Sequence, residues 1–161
     1  MLEFDSQIYL LSSKFMNDYQ AAQYPELLSK STRPYTCLLV NTHYDYYIGV
    51  PFRSDITHSN AYMFNAANST RKKPGLDYSK IVIIQDANYI DVPALVDKNE
   101  YNELMNNHTK IVNGAVNYVE TYTNHIKCVN VIHPREFSRR YRYSTLKYFY
   151  KELGIFNILA M

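Results

Sequence analysis

Apolar positions change their spacing once along this chain, near residue 97: before it they come in short runs between polar turns, after it they recur at three and four. In the first half, QIYLLS (7–12) predicts a strand. SKFMNDYQAAQYPELLSKS (13–31) predicts a short helix and a loop broken at Pro25. PYTCLLVNT (34–42) is apolar nearly throughout, which predicts a strand buried on both faces. HYD (43–45) is a tight connection, and YYIGVPF (46–52) returns as the hairpin partner, with Gly49 and Pro51 marking a bend or an edge. AYMFN (61–65) is a further strand, AANSTRKKPGLDYS (66–79) a polar connection turning at Pro-Gly, and KIVIIQ (80–85) the clearest strand of all.

In the second half, Tyr101, Leu104, Met105, His108, Ile111, Val112, Ala115, Tyr118, Val119, Tyr122 and Ile126 trace one stripe. They predict a long amphipathic helix over about 98–127, opened by Asp97 as N-cap with Glu100 three residues on. Gly114 inside it costs about 1 kcal/mol relative to Ala and marks close packing or a kink. CVNVI (128–132) reads as a short strand or a connector. Pro134 starts a C-terminal helix over about 135–153, striped by Phe137, Tyr141, Thr145, Tyr148 and Phe149 and stopped at Gly154. Strands first and helices later predict an α+β fold: a compact, strongly curved antiparallel sheet or barrel with added helices, in a single domain over 1–161.

Composition agrees with a folded core, at 47% hydrophobic and 20% charged residues among 161. Seventeen tyrosines and no tryptophan give it an unusual supply of rings with a polar tip, suited to wet interfaces and base stacking. The net charge is only +2, but cations gather in two places, Arg71-Lys72-Lys73 and the stretch holding Arg135, Arg139, Arg140, Arg142, Lys147 and Lys151. Cys37 and Cys128 flank no metal spacing and are expected as buried free thiols. No secretory pattern or membrane-length apolar run is visible, so a soluble cytoplasmic protein is expected. The five histidines form no HxxxH or HExxH pair, and phosphate-binding glycine motifs are lacking, so neither metal nor cofactor is expected.

The stretch VPFRSDITHSNAYMF (50–64) gathers Arg53, Ser54, Asp55, Thr57 and His58 within six positions. Those residue types suit phosphoryl transfer on RNA, which carries its own nucleophile in the ribose 2′-hydroxyl. The protein need only align that hydroxyl, move a proton and stabilise charge on phosphate. Arg offers a planar fork to phosphate oxygens, Ser and Thr add donors, and His exchanges a proton near neutral pH. The plainer reading is a polar turn, with Asp55 as an Asx-type turn residue.

Four blocks, SSKF, RPYTCLLV, YYIGVPFRSDITHSNAYMF and KPGLDYSKIVII, together resemble the toxins of type III toxin–antitoxin systems, the ToxN/AbiQ family, and in particular its CptN/TenpN branch, over roughly residues 6–90. The resemblance implies a fold similar to the MazF/Kid toxins and a metal-independent, sequence-specific endoribonuclease. It implies inhibition by a small structured antitoxin RNA, cut by the toxin from a repeat transcript and held with it in a closed assembly. Cellular or phage RNA would be the target, with growth arrest and phage defence the outcome; neither membrane nor DNA is expected as a partner.

Carried over residue by residue, Ser54 matches the Ser of the family's catalytic stretch and Arg53 stands at its Thr position. Ile56 falls where the better-known branch has Lys. Arg33 matches a basic residue placed just before the first hairpin strand, with Lys30 nearby. The expected roles follow: Arg33 and Arg53 clamp the scissile phosphate, Ser54 donates to a phosphate oxygen, and His58 transfers a proton or orients the loop. The products would be a 2′,3′-cyclic phosphate and a 5′-hydroxyl. Lys30, Asp55, Thr57, Arg71, Lys72, Lys73, Lys80, Arg135, Arg139, Arg140, Arg142 and Tyr143 are expected to contact RNA. The competing reading is an RNA-binding regulator that does not cut.

Overall fold

The computed structural model describes residues 6–27, 35–65 and 69–155. In chain order its elements are β1 (Ser6–Leu11), α1 (Ser13–Asp18), β2 (Thr36–Asn41), β3 (Tyr47–Arg53), β4 (Ala61–Met63), β5 (Gly75–Asp77), β6 (Val82–Ile84), β7 (Ile90–Pro93), α2 (Lys98–Asn106), α3 (His108–Ile126) and α4 (Pro134–Tyr141). The fold is α+β. Its strands form one antiparallel sheet in the order β4-β5-β3-β2-β1-β7, with β6 also on β3.

β2 is buried at four successive positions, Cys37 to Val40, as its unbroken apolar run predicts. β3 is the pivot. Its first half pairs with β6 through Tyr47, Ile48 and Gly49, and its last two residues pair with β5 instead. Pro51, which has no N–H to give a ladder, falls between the two partners. Gly49 is held to its size: a Cβ there would stand 2.8 Å from Val82 Cγ2. The change of partner carries Arg53 past the main sheet, to the start of the loop singled out above.

The sheet does not close into a barrel, contrary to that part of the expectation. Its outer strands are too short to find each other. β4 has three residues, and β7 has four, ends in Pro93 and meets β1 across a register shift. Two strands, β5 and β7, lie in stretches whose polarity hid them.

The long helix is two helices. At Asn107 (φ −119°, ψ 20°) the side-chain amide donates to the Glu103 carbonyl at 2.9 Å, and the backbone N–H serves Glu103 and Leu104. That closes α2 before α3 begins. The core face survives the break through Leu104 and then Ile111 to Tyr122, but Tyr101 and Met105 turn to solvent. The C-terminal helix is also shorter than predicted. α4 ends at Tyr141, and Ser144 caps a 3-10 turn over Thr145–Tyr148. Thr145 is buried and its hydroxyl donates to the Ile81 carbonyl, a tertiary bond that a continuous helix would forfeit. Gly154 does adopt a left-handed φ of 73°, but at the end of a run of turns. Residues 128–132 form no strand, only a connector.

One contiguous core joins the inner face of the sheet to α3 and the C-terminal segment. Tyrosines frame it, reaching inward with the ring and bonding backbone with the hydroxyl: Tyr35 to Lys80 O, Tyr78 to Ile111 O, Tyr118 to Arg140 O and Tyr141 to Tyr118 O, at 2.7–3.1 Å. Each satisfies a buried or partly buried polar atom while adding apolar area. Both cysteines are free; Cys37 is buried as expected, but Cys128 is exposed, on a residue with φ 59°. Among the described residues no helix is long and apolar enough to cross a membrane.

Candidate functional site

Arg53 ends β3, and Ser54 and Asp55 turn away from the sheet. Asp55 takes a left-handed φ of 58°, which Asp tolerates better than most residues. Its N–H donates to Lys72 O at 2.8 Å and that of Ile56 to Lys73 O at 3.3 Å, while the Ile56 side chain is buried. The 53–58 loop is thereby pinned to the 71–73 cationic run, which lies far from it in sequence.

Behind Arg53 lies Asp77, at the end of β5 and fully buried. Its Oδ1 accepts from the Ser79 N–H at 3.0 Å and the Ser79 hydroxyl at 2.6 Å. Its Oδ2 accepts from Arg53 Nη1 at 2.6 Å and lies 3.2 Å from His58 Nε2. A carboxylate taken out of water is tolerated only with such saturation. The other ring nitrogen, His58 Nδ1, accepts from the Asn60 N–H at 3.1 Å. That assigns the proton of a neutral imidazole to Nε2, facing Asp77. Ser79 Oγ is 3.3 Å from the same nitrogen, so Ser79, His58 and Asp77 meet at one ring atom instead of forming a relay through two.

Arg53 leaves 28% of its side chain exposed, toward a cleft of about 810 Å³. Phe52, Arg53, Ser54 and Asp55 line one part of it, Thr70 and Arg71 a second, and Leu95, Val96, Asp97 and Glu100 a third; Tyr35, Thr36 and Pro51 complete it. Its charge is mixed. Arg71 grips Glu100 with Nε and Nη2, and Glu100 is only 1% exposed, so these two charges answer each other. Asp97 caps α2 through the N–H groups of Asn99 and Glu100 and also accepts from the Thr70 hydroxyl. Arg53, paired with Asp77 behind it, and the exposed Asp55 are the other two charged residues that line it.

Of the residues expected at the site, the structure therefore brings together Arg53, Ser54, Asp55 and Arg71 on the cleft; His58 does not line it but shares the Asp77 carboxylate with Arg53. Thr57, Lys72 and Lys73 are exposed beside it. Lys80 is not a surface cation: it is buried, and its ammonium donates to Tyr143 O at 3.0 Å and to Glu26 at 3.4 Å. Arg135, Arg139, Arg140, Arg142 and Tyr143 form a separate surface around α4. There Arg139 pairs with Glu136, the Arg142 guanidinium lies 5.2 Å from the Tyr143 ring centre, and Tyr143 is 60% exposed. Lys30 and Arg33 lie outside the described residues.

Asp77, Ser79, Glu100 and Tyr35 belong to the site without any local pattern that marks them for it. The Asp-x-Ser pattern in GLDYSK signals a local turn, which it makes, but carries no sign of a partner 24 residues upstream. Among the described residues no group of three or more His, Cys, Asp or Glu is placed to hold a metal ion. No protein-family model, curated protein or solved structure matches this chain.

Proposed function

We propose that this chain is a metal-independent endoribonuclease of the type III toxin kind, acting at the 53–58 loop and restrained by a small structured RNA. The observation that carries the reading is Arg53: a guanidinium anchored from behind by buried Asp77, next to Ser54, at the wall of a cleft large enough for a nucleotide. A cation held in place stabilises developing phosphate charge better than one that must reorganise. Ser54 adds a donor, and the 2′-hydroxyl of the RNA supplies the nucleophile. Lys72 and Lys73 beside the loop, and the Arg142–Tyr143 surface, would hold flanking RNA. On this reading the protein is a cytoplasmic toxin of bacterial growth arrest and phage defence, and its open sheet is a variant of the MazF/Kid architecture.

A second reading, an RNA-binding regulator that does not cut, is favoured by His58. Both of its ring nitrogens are engaged, one by a backbone N–H and one by a buried carboxylate, so it is poorly placed to accept a proton. The two part on one assay: purified protein, single-stranded RNA and excess chelator. Cleavage leaving 2′,3′-cyclic phosphate ends, lost in Arg53→Ala and Ser54→Ala, supports the nuclease. RNA bound tightly but left intact supports the regulator and overturns the first reading.

A further inference from the structure

Asp77 saturates its carboxylate with two unlike sets of donors. Oδ1 is held by its own turn, through the N–H and hydroxyl of Ser79, and this fixes the plane of the carboxylate. Oδ2 is thereby aimed across the sheet at Arg53 and His58, residues that belong to a different strand and loop. We propose that Asp77 is the positioning residue of this site: it anchors the Arg53 guanidinium at Nη1 and locks His58 in the Nε2–H tautomer, with Ser79 holding Asp77 itself. Its bearing on RNA cleavage rests on the function proposed above; the positioning does not.

Donor count sets the demand on this residue. Around Asp77 stand four donors, Arg53 Nη1–H, His58 Nε2–H, Ser79 N–H and Ser79 Oγ–H, and a carboxylate is acceptor-only on both oxygens. An amide is not. In Asp77→Asn the NH₂ must face either the Ser79 N–H, breaking the turn, or the Arg53 and His58 side. In the second case Arg53 loses its anchor, and His58 can accept at Nε2 only by moving its proton to Nδ1. That move would set Nδ1–H against the Asn60 N–H now donating to it at 3.1 Å. Either orientation unfixes the pair. Bulk burial alone does not make this demand, so the substitution separates positioning from packing.

The test uses the whole chain labelled with ¹⁵N at histidine. The expected result in the unaltered protein is a His58 spectrum of a single neutral tautomer with the proton on Nε2, in slow exchange. In Asp77→Asn that signature is expected to give way to a mixture or to the Nδ1–H form. Binding of a dinucleoside monophosphate probe is expected to weaken about tenfold, and Ser79→Ala to produce a smaller shift in the same direction. The unaltered protein is itself decisive should Asp77→Asn not fold: a His58 that is Nδ1-protonated, or averaged between tautomers, overturns the proposal. So does an Asp77→Asn protein that folds and keeps both the tautomer and the probe affinity. If the tautomer and its dependence on Asp77 are found but no RNA is cleaved, the positioning stands and the nuclease reading falls.

Discussion

Tyr78 lays its hydroxyl over the bare Cα of Gly114, donating to the Ile111 carbonyl at 2.9 Å, in the space where a Cβ on residue 114 would stand 2.5 Å from that oxygen. The glycine in the middle of α3 is therefore a packing feature and not a kink. A Cβ would also approach Tyr78 Cζ to 2.9 Å, so the ring as a whole would have to move.

Gly114→Ala is expected to destabilise the protein by about 1–2 kcal/mol, despite the helix propensity it gains, because overpacking of this kind outweighs propensity. In a Tyr78→Ala background the same change should become stabilising by about 1 kcal/mol. Urea unfolding of the four proteins in the cycle measures the sign change. Additive effects would show that the two residues do not meet.

Arg71 and Glu100 should respond unequally to truncation. Arg71 is 34% exposed on its side chain and can find water, whereas Glu100 is 1% exposed and cannot. Arg71→Ala takes the counter-charge from a buried carboxylate, leaving it, among the described residues, the Ser69 hydroxyl as a donor, and should cost about 3 kcal/mol. Glu100→Ala should cost roughly half as much, and the pair of changes together less than their sum. Denaturant midpoints at constant slope would measure this; equal costs would contradict the asymmetry.

Alkali should unfold the protein over a defined window. Burial is the leading cause that pushes Tyr19, Tyr62, Tyr78 and Tyr141 up to about 12, from an ordinary value of 10.0. With the folded-state value raised, the unfolded chain releases these protons first. Their stabilising contribution is thus complete below pH 10 and is lost as the pH climbs toward 12. Tyrosinate absorbance from these residues is expected to rise together with loss of far-ultraviolet circular dichroism. Full ionisation near pH 10 with the fold intact would contradict it.

At the surface around α4, Arg142 and Tyr143 should contribute in distinguishable ways if RNA lies there. Arg142→Ala is expected to flatten the dependence of log affinity on log salt by about 0.7, the share of one single-strand phosphate contact. Tyr143→Ala is expected to weaken binding by about 1–3 kcal/mol, the worth of one stacked base, and to leave the salt slope alone. Fluorescence anisotropy across a salt series reads both. Wild-type slopes and affinities in both variants would remove this surface from the RNA path.

Periodicity is a local property, and what it governs was legible in the chain. The runs 34–42, 46–52 and 80–85 became strands β2, β3 and β6 because a β-strand needs only alternate or continuous apolar faces over a few residues. The stripe from Leu104 to Tyr122 reached the core for the same reason, and Asp97 capped α2 as its spacing to Glu100 predicts. What required a partner was not legible. Asn107 could have continued a helix, but its amide closed α2 on Glu103. Thr145 could have stayed on a helical face, but Ile81 offered a carbonyl. The loop that collects Arg53, Ser54 and His58 stands out in sequence, yet its anchor does not. Arg53 pairs with Gly75 in the ladder, and that register alone places Asp77 diagonally across from it on the same face. Sequence by itself settled which segments could bury a face and where polar chemistry was concentrated. Tertiary structure decided which donors share one carboxylate, because a hydrogen bond depends on atoms brought within 3 Å or so, and no local pattern encodes a distance between strands.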